Sequence, residues 1–196
     1  NLENLVTSKA NNVISTSHVP EKHYDQWMGK LLGTCTKVYD DDIINKINKY
    51  ICENGLNKKA ITYNKMRDIL KKLKMSSKYN KFLTSILGDV TEDRPPEISY
   101  NDLVFHKLAT KRVIDTHDDL YASDGNRPFY PFFIKQVFDL MYLPPNKNRR
   151  ILDFIHTQSK KTTFKNIEKW VYICKKDPGI IPMINEYAKK LKDSMN

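Results

Sequence analysis

Hydrophobic residues recur at helical spacing along most of this chain, and the pattern is clearest in residues 61–88. There the apolar positions fall at i, i+3, i+4 and i+7, which places them on one face of a 3.6-residue helix. The spacing predicts two short amphipathic helices joined by Ser76 and Ser77. Thr62 is the predicted N-cap of the first helix, and Gly88 is the predicted stop of the second. The predicted buried positions are Met66, Ile69, Leu70 and Leu73, then Tyr79, Phe82, Leu83, Ile86 and Leu87.

The same spacing predicts helices in the rest of the chain. One begins at Pro20 and carries Trp27, and the next follows three aspartates at 40–42 and ends at Asn54 and Gly55. Negative charge at a helix start is stabilised by the helix dipole, so we interpret the aspartates as capping groups. The other predicted faces are Leu103, Val104, Leu108, Arg112 and Ile114; Ile134, Val137, Phe138 and Met141; Phe164, Ile167, Trp170, Val171 and Cys174; and Ile184, Tyr187, Ala188 and Leu191.

These elements predict a mainly α-helical protein that folds as a multi-helix globular domain. Within that domain we predict two packed helical subdomains. With 196 residues and 40% hydrophobic content, the chain is long enough to bury a sizeable core. Two consecutive prolines at 95 and 96 are the best internal boundary. We therefore predict a flexible polar arm at residues 1–19, an N-terminal helical subdomain with the basic helix pair at 20–94, and a C-terminal helical subdomain at 95–196.

Charge changes this picture, because the chain has a formal net charge of +10. Such a surplus favours nucleic acid or acidic proteins as partners. Seven Lys or Arg and one acidic residue occur between Leu56 and Met75, and residues 144–176 hold nine basic and two acidic residues. Lysine is also common on solvated helix faces, so each segment alone is open to that simpler interpretation. The candidate nucleic-acid-binding residues are Lys65, Arg67, Lys71, Lys72 and Lys74, with Arg149, Arg150, Lys160 and Lys161 as a second set.

Candidate chemistry is sparse. The three cysteines, Cys35, Cys52 and Cys174, form no Cys-x-x-Cys pair, which predicts neither a disulfide framework nor a zinc ribbon in this chain. No Gly-rich phosphate loop or Gly-x-Ser-x-Gly motif occurs, and no apolar run approaches the length of a membrane span. We therefore predict no enzyme, no small-molecule substrate and no membrane partner. The densest set of possible metal ligands is Asp115, His117, Asp118 and Asp119, which we interpret as a solvated segment, with a metal-dependent nuclease as the remote alternative.

Several patches, in this order, resemble the viral late transcription factor 3 family of poxviruses and other large cytoplasmic DNA viruses. They span most of the chain, from about residue 20 to residue 182. The patches are His23-Tyr24-x-x-Trp27; Ile61-Thr62-Tyr63 with Met66-Arg67-Asp68-Ile69-Leu70-Lys71-Lys72-Leu73; residues 126–140, with Phe129-Tyr130-x-x-Phe133 and Lys135; and the Trp170 segment ending near Pro182.

The resemblance implies a factor that supports late viral transcription with the viral RNA polymerase or other viral transcription factors, in the viral factory of the host cytoplasm, with packaging in the virion as a further expectation. Family members usually carry an N-terminal zinc ribbon, and this chain has no paired cysteines. We therefore expect no cofactor in this chain, with zinc confined to a ribbon upstream of Asn1 or lost. The leading hypothesis is a transcription factor that binds DNA or the polymerase through its basic helices. The alternative is a virion or adaptor protein that binds viral proteins without contacting nucleic acid.

Overall fold

The computed structural model describes residues 19–34, 39–157 and 160–195, and for residues 19–21 and 160–162 it describes the backbone alone. The predicted mainly α-helical class is confirmed, and no strand occurs in these ranges. The described α-helices are α1 (Val19–Leu32), α2 (Asp41–Glu53), α3 (Tyr63–Lys72), α4 (Ser76–Tyr79), α5 (Leu83–Thr91), α6 (Tyr100–Tyr121), α7 (Tyr130–Met141), α8 (Lys160–Lys176) and α9 (Ile180–Ser194). Short 3-10 segments are Lys58–Ala60, Asn80–Phe82, Ala122–Asp124 and Lys147–Phe154.

The chain divides into two compact units. Among the described residues, one consists of 27–34, 39–96 and 153–156, and the other of 19–26, 97–152, 157 and 160–195. The predicted boundary between residues 94 and 95 stays a prediction, and residues 1–18 of the predicted polar arm lie outside the described ranges. Among the described helices, none combines the length and the apolar content that a membrane crossing requires.

The smaller unit is built around an aliphatic core supplied by α2, α3 and α5. The Asp40 carboxylate accepts a hydrogen bond from the Asp42 backbone N–H at 3.1 Å and so caps α2, as the sequence predicts. Gly55, with a positive φ of 61°, follows the end of α2. The fully buried centre consists of Ile47, Met66, Ile69, Leu70, Ile86 and Leu87, and Phe154 packs against the same cluster.

The prediction that Gly88 ends its helix is wrong. Helix α5 continues to Thr91, and Glu92, with a φ of 65°, is the left-handed residue that follows it. A Cβ added at position 88 would lie against the Arg94 side chain, which would then have to shift. Arg94 also donates a hydrogen bond to Asp89 at 3.0 Å, so the side chain folds back over the helix.

The larger unit is organised by α6, which packs against α7, α8 and α9. The predicted helix through residues 103–114 is confirmed, but Leu108 of its predicted face is exposed, while Asp102, His106, Thr110 and His117 are buried. These polar groups have partners that are distant in sequence. The Tyr24 hydroxyl lies 2.7 Å from Nδ1 of His106, whose Nε2 lies 3.0 Å from the Ile134 carbonyl. Hence a neutral imidazole accepts at Nδ1 and donates at Nε2.

The buried carboxyl of Asp102 is a second polar centre of this unit. It accepts hydrogen bonds from the hydroxyls of Tyr142 and Tyr187, at 2.7 and 2.6 Å. Because Tyr142 follows α7 and Tyr187 lies in α9, the carboxyl ties these elements to α6. The aromatic segment of α7 is buried, as predicted, with Phe133, Ile134, Val137 and Phe138 inaccessible to solvent.

Candidate nucleic-acid interface

Helix α3 positions the first predicted set of basic residues. The Thr62 hydroxyl accepts a hydrogen bond from the Lys65 backbone N–H at 3.2 Å, which confirms the predicted N-cap. Met66, Ile69 and Leu70 are buried in the core of the smaller unit. Because this face is fixed, the remaining positions of the helix, which carry the basic residues, face outward. We call Lys65, Arg67, Lys71, Lys72 and Lys74 the α3 basic surface.

Three members of the α3 basic surface are exposed to solvent. Lys71, Lys72 and Lys74 are exposed, and none of them forms an ion pair with a described residue. Asp68 precedes Lys71 and Lys72 by three and four residues, a spacing that permits ion pairs, but it forms none with any described residue. The three ammonium groups are therefore solvated cations without an intramolecular counterion among these residues.

The end of α3 holds Lys74 in an uncommon backbone conformation. Its φ is 58°, in the left-handed region that glycine usually occupies at this position of a helix end. The Lys74 N–H donates to the Lys71 carbonyl at 3.0 Å, and the Met75 N–H donates to the Leu70 carbonyl at 2.8 Å. This pair of bonds is a Schellman motif, and a lysine at its left-handed position carries a strain that glycine would avoid.

The other two members of the surface are partly enclosed. Lys65 is half-buried. Arg67 is half-buried as well, and its Nη1 donates a hydrogen bond to Nε2 of His156, within the same compact unit. The guanidinium therefore fastens the 153–156 segment to α3 and has fewer free N–H groups than an unpaired arginine.

The second predicted set lies in the other unit and has a different environment. Nη1 of Arg149 donates to the carbonyls of Asp139 and Tyr142, at 3.1 and 2.9 Å, and Nη2 donates to the Asp139 carboxylate. The Arg149 guanidinium thus caps the C-terminal end of α7. Arg150 is exposed, and the side chains of Lys160 and Lys161 lie outside what the structure describes. A phosphate-binding role for this second set stays a prediction.

Four further exposed lysines of the smaller unit flank α3 in the sequence and were not among the predicted residues. Lys58 and Lys59 lie in the 3-10 segment before α3. The Nζ of Lys78 lies 5.3 Å from the centroid of the Tyr79 ring, and that of Lys81 lies 5.1 Å from the Phe82 ring. The density of basic residues near α3 is the signal that could have identified them.

The Asp115 to Asp119 cluster does not form a metal centre. Asp115 is paired with Lys111 at 2.8 Å, and the buried ring of His117 lies against Tyr121 and Phe133. Burial lowers the pKa of His117, although the adjacent Asp118 opposes that shift. Within the described ranges, no three His, Cys, Asp or Glu side chains lie close enough together to hold a metal ion.

The residues present do not fit a zinc ribbon either. Such a site needs four converging Cys or His ligands. Cys52 is exposed in the smaller unit, Cys174 is half-buried in the larger one, and Cys35 lies outside the described ranges. Burial raises the pKa of the Cys174 thiol to about 11, which disfavours the thiolate that zinc requires.

Comparison with known proteins assigns the family. The model of the family described as poxvirus late transcription factor VLTF3-like matches residues 13–178, and the chain belongs to this family. The resemblance found in the sequence patches is thus confirmed.

Curated relatives include the zinc finger protein B385R of African swine fever virus isolates from Kenya, South Africa and Namibia. Each is 28% identical over 172 residues, which is 82% of this chain and 44% of the relative. The chain therefore spans less than half the length of these relatives. No solved structure matches it.

Proposed function

We propose that this chain is the helical part of a viral late-gene transcription factor that binds DNA through the α3 basic surface. Family membership supports a role in viral transcription. The observation that carries the DNA-binding step is the set of three exposed lysines, Lys71, Lys72 and Lys74, which have no counterion among the described residues. Their charges are available to phosphate, and releasing the counterions that DNA holds would drive association.

The proposal assigns no chemical step to the chain. Its residues bind and position, and the viral RNA polymerase or other viral transcription factors are the proposed protein partners. The same proposal puts this action in the viral factory of the host cytoplasm, with packaging in the virion as its extension. Zinc, which the name of the relatives suggests, would be held by residues other than those described in this chain.

The test compares DNA affinities of three chains by fluorescence anisotropy with a labelled duplex. In the first variant, Lys71→Glu and Lys72→Glu reverse two charges on α3. In the control, Lys189→Glu and Lys192→Glu reverse two exposed charges on α9. Each reversal changes the net charge by two, so both variants carry the same total charge.

We expect the α3 variant to lose roughly tenfold or more in affinity, because two phosphate contacts are removed and two repulsions are added. The α9 control should lose much less, since it changes only the long-range field. Equal losses in the two variants would show that the α3 basic surface is not the binding site.

An adaptor or virion protein that contacts no nucleic acid remains the second candidate function. One observation favours protein binding by this chain, namely the exposed apolar residues of α8. A chain whose duplex affinity is negligible at low salt would support this candidate over the first.

A further inference from the structure

Helix α8 buries a different face from the one its sequence predicts. Asn166 and Ile173 are buried, whereas Phe164, Ile167, Val171 and Tyr172 expose 69, 45, 45 and 49% of their surfaces. We call these four residues the α8 apolar face. The prediction that Phe164, Ile167 and Val171 pack inward is therefore wrong.

The position of α8 is fixed near its C-terminal end. Ile173 is inaccessible to solvent, and the following turn is held by Arg112 of α6. The guanidinium of Arg112 forms two hydrogen bonds with the two carboxylate oxygens of Asp177, at 2.6 and 2.7 Å. Arg112 lowers the pKa of Asp177, which is consistent with a lasting ion pair. The exposure of the α8 apolar face is thus a consequence of how the helix is anchored.

The exposed residues form one continuous feature. Together with Glu168 and Lys175 they line a single surface groove. Their spacing of three, four and one residues follows two turns of the helix, so the groove runs along the helix axis. A contiguous exposed apolar patch with a polar border is typical of a protein-binding site, whereas apolar residues exposed singly are ordinary.

The charge beside the groove is strongly positive. Helix α8 contains six lysines and one acidic residue, Glu168. Lys165, Lys169 and Lys176 are spaced by four and seven residues, which places them in one row along an edge of the α8 apolar face. Burial lowers the pKa of Lys169, and so does the like charge of Lys165. Carboxylates of a partner lying beside this row would relieve the repulsion between its lysines.

We propose that the α8 apolar face binds an amphipathic helix of a partner protein, with aspartate or glutamate beside the apolar stripe of that helix. Helices recognise helices by laying such stripes into grooves, with anchors at i, i+3, i+4 and i+7. The proposal is independent of DNA binding by α3, since it uses a different helix in the other compact unit.

Two other occupants fit the groove less well. A second copy of α8 would bring two lysine rows together, and the single Glu168 of each copy cannot balance them. Single-stranded nucleic acid would use the rings of Phe164 and Tyr172 for stacking. The groove is also lined by the aliphatic Ile167 and Val171, which offer no flat ring for a base.

The probes for the test are fluorescein-labelled helical peptides of 18 residues with leucines at the anchor positions. One peptide has glutamates beside the leucine stripe, and its partner has lysines at the same positions. The protein variants are Val171→Asp in the groove and Leu108→Asp on α6, where another partly exposed apolar residue serves as the matched control. A third variant, Lys165→Glu with Lys176→Glu, reverses part of the lysine row.

We expect the acidic peptide to bind at least tenfold more tightly than the basic one. Val171→Asp should weaken this binding at least tenfold, and Leu108→Asp should leave it within about twofold. The lysine-row variant should reverse the preference between the two peptides. Equal binding of both peptides, or acidic-peptide binding that Val171→Asp leaves unchanged, would overturn the proposal.

Three further outcomes would each overturn the proposal in favour of another occupant. Self-association in sedimentation that Val171→Asp abolishes would identify a second copy. Binding of labelled oligo-thymidine that is lost in Val171→Asp would identify single-stranded nucleic acid. A large fall in the thermal midpoint of Val171→Asp, but not of Leu108→Asp, would show that another part of this chain covers the face.

Discussion

The buried imidazole of His106 makes the stability of the larger unit dependent on pH. Its ring is inaccessible to solvent, and burial lowers its pKa from 6.5 to about 3, although the Ile134 carbonyl opposes this shift. In the unfolded chain the same group has a pKa near 6.5. A group whose folded pKa is depressed contributes stability above its unfolded pKa, and this contribution is lost as the pH falls toward the folded value.

The size of this effect follows from the two pKa values. At pH 7.5 the imidazole is neutral in both states, and protonation favours neither. At pH 5 the unfolded chain is protonated and the folded chain is not, which lowers the free energy of unfolding by about 2 kcal/mol. This contribution of His106 to stability is lost between pH 6.5 and pH 3, and the loss adds to the pH effects of other titrating groups.

The perturbation is His106→Gln, because a glutamine amide can donate to the Ile134 carbonyl and accept from Tyr24 without titrating. The free energy of unfolding, measured with urea, should fall between pH 7.5 and pH 5 in both proteins. The fall should be about 2 kcal/mol smaller in the variant than in the unsubstituted chain. Val113→Ala is the control, since it destabilises packing at a buried position of the same helix without changing a titratable group. An equal pH dependence in His106→Gln and the unsubstituted chain would refute the assignment of a buried neutral imidazole.

Two further predictions concern backbone strain and buried hydrogen bonds. Lys74→Gly should raise the free energy of unfolding by about 0.5–1 kcal/mol, because glycine accepts the positive φ more readily. The same substitution should weaken DNA binding, because it removes a positive charge. Urea unfolding tests the first effect and fluorescence anisotropy the second, and a variant less stable than the unsubstituted chain would contradict the strain at Lys74. Tyr142→Phe should lower the free energy of unfolding by about 1–3 kcal/mol, because it leaves a lone pair of the buried Asp102 carboxyl without its hydroxyl donor. An unchanged urea midpoint in Tyr142→Phe would argue against that hydrogen bond.

Local signals in the sequence predicted much of the smaller unit. The Thr62 and Asp40 caps are confirmed because a capping residue acts on N–H groups two or three positions away, so the whole interaction lies in adjacent sequence. The same locality explains why Met66, Ile69 and Leu70 could be identified as core positions. The predicted stop at Gly88 is wrong because the helix continues for three more residues, and Glu92 takes the left-handed conformation that the helix-ending rule assigns to glycine.

The larger unit shows where hydrophobic periodicity fails. The method assumes that polar residues face solvent, but α6 buries His106 and Asp102, whose partners are up to 85 residues away. It also assumes that apolar residues are buried, and α8 exposes Phe164 and Val171 because its anchoring contacts fix the opposite side. Only long-range contacts decide these cases.

The candidate site divides in the same way. The outward position of Lys71 and Lys72 follows from the periodicity of α3 and could be predicted. The engagement of Arg149 with the Asp139 and Tyr142 carbonyls could not, because it depends on how the chain turns after α7.

The salt dependence of duplex binding is the most direct test of DNA binding by the α3 basic surface. If Lys71, Lys72 and Lys74 each neutralise one phosphate, the logarithm of the affinity should fall against the logarithm of salt concentration with a slope of about −2.7 or steeper. Lys71→Glu with Lys72→Glu should reduce this slope by about 2, and the α9 control should leave it nearly unchanged. A slope near zero, or one that the α3 substitutions do not alter, would contradict the account.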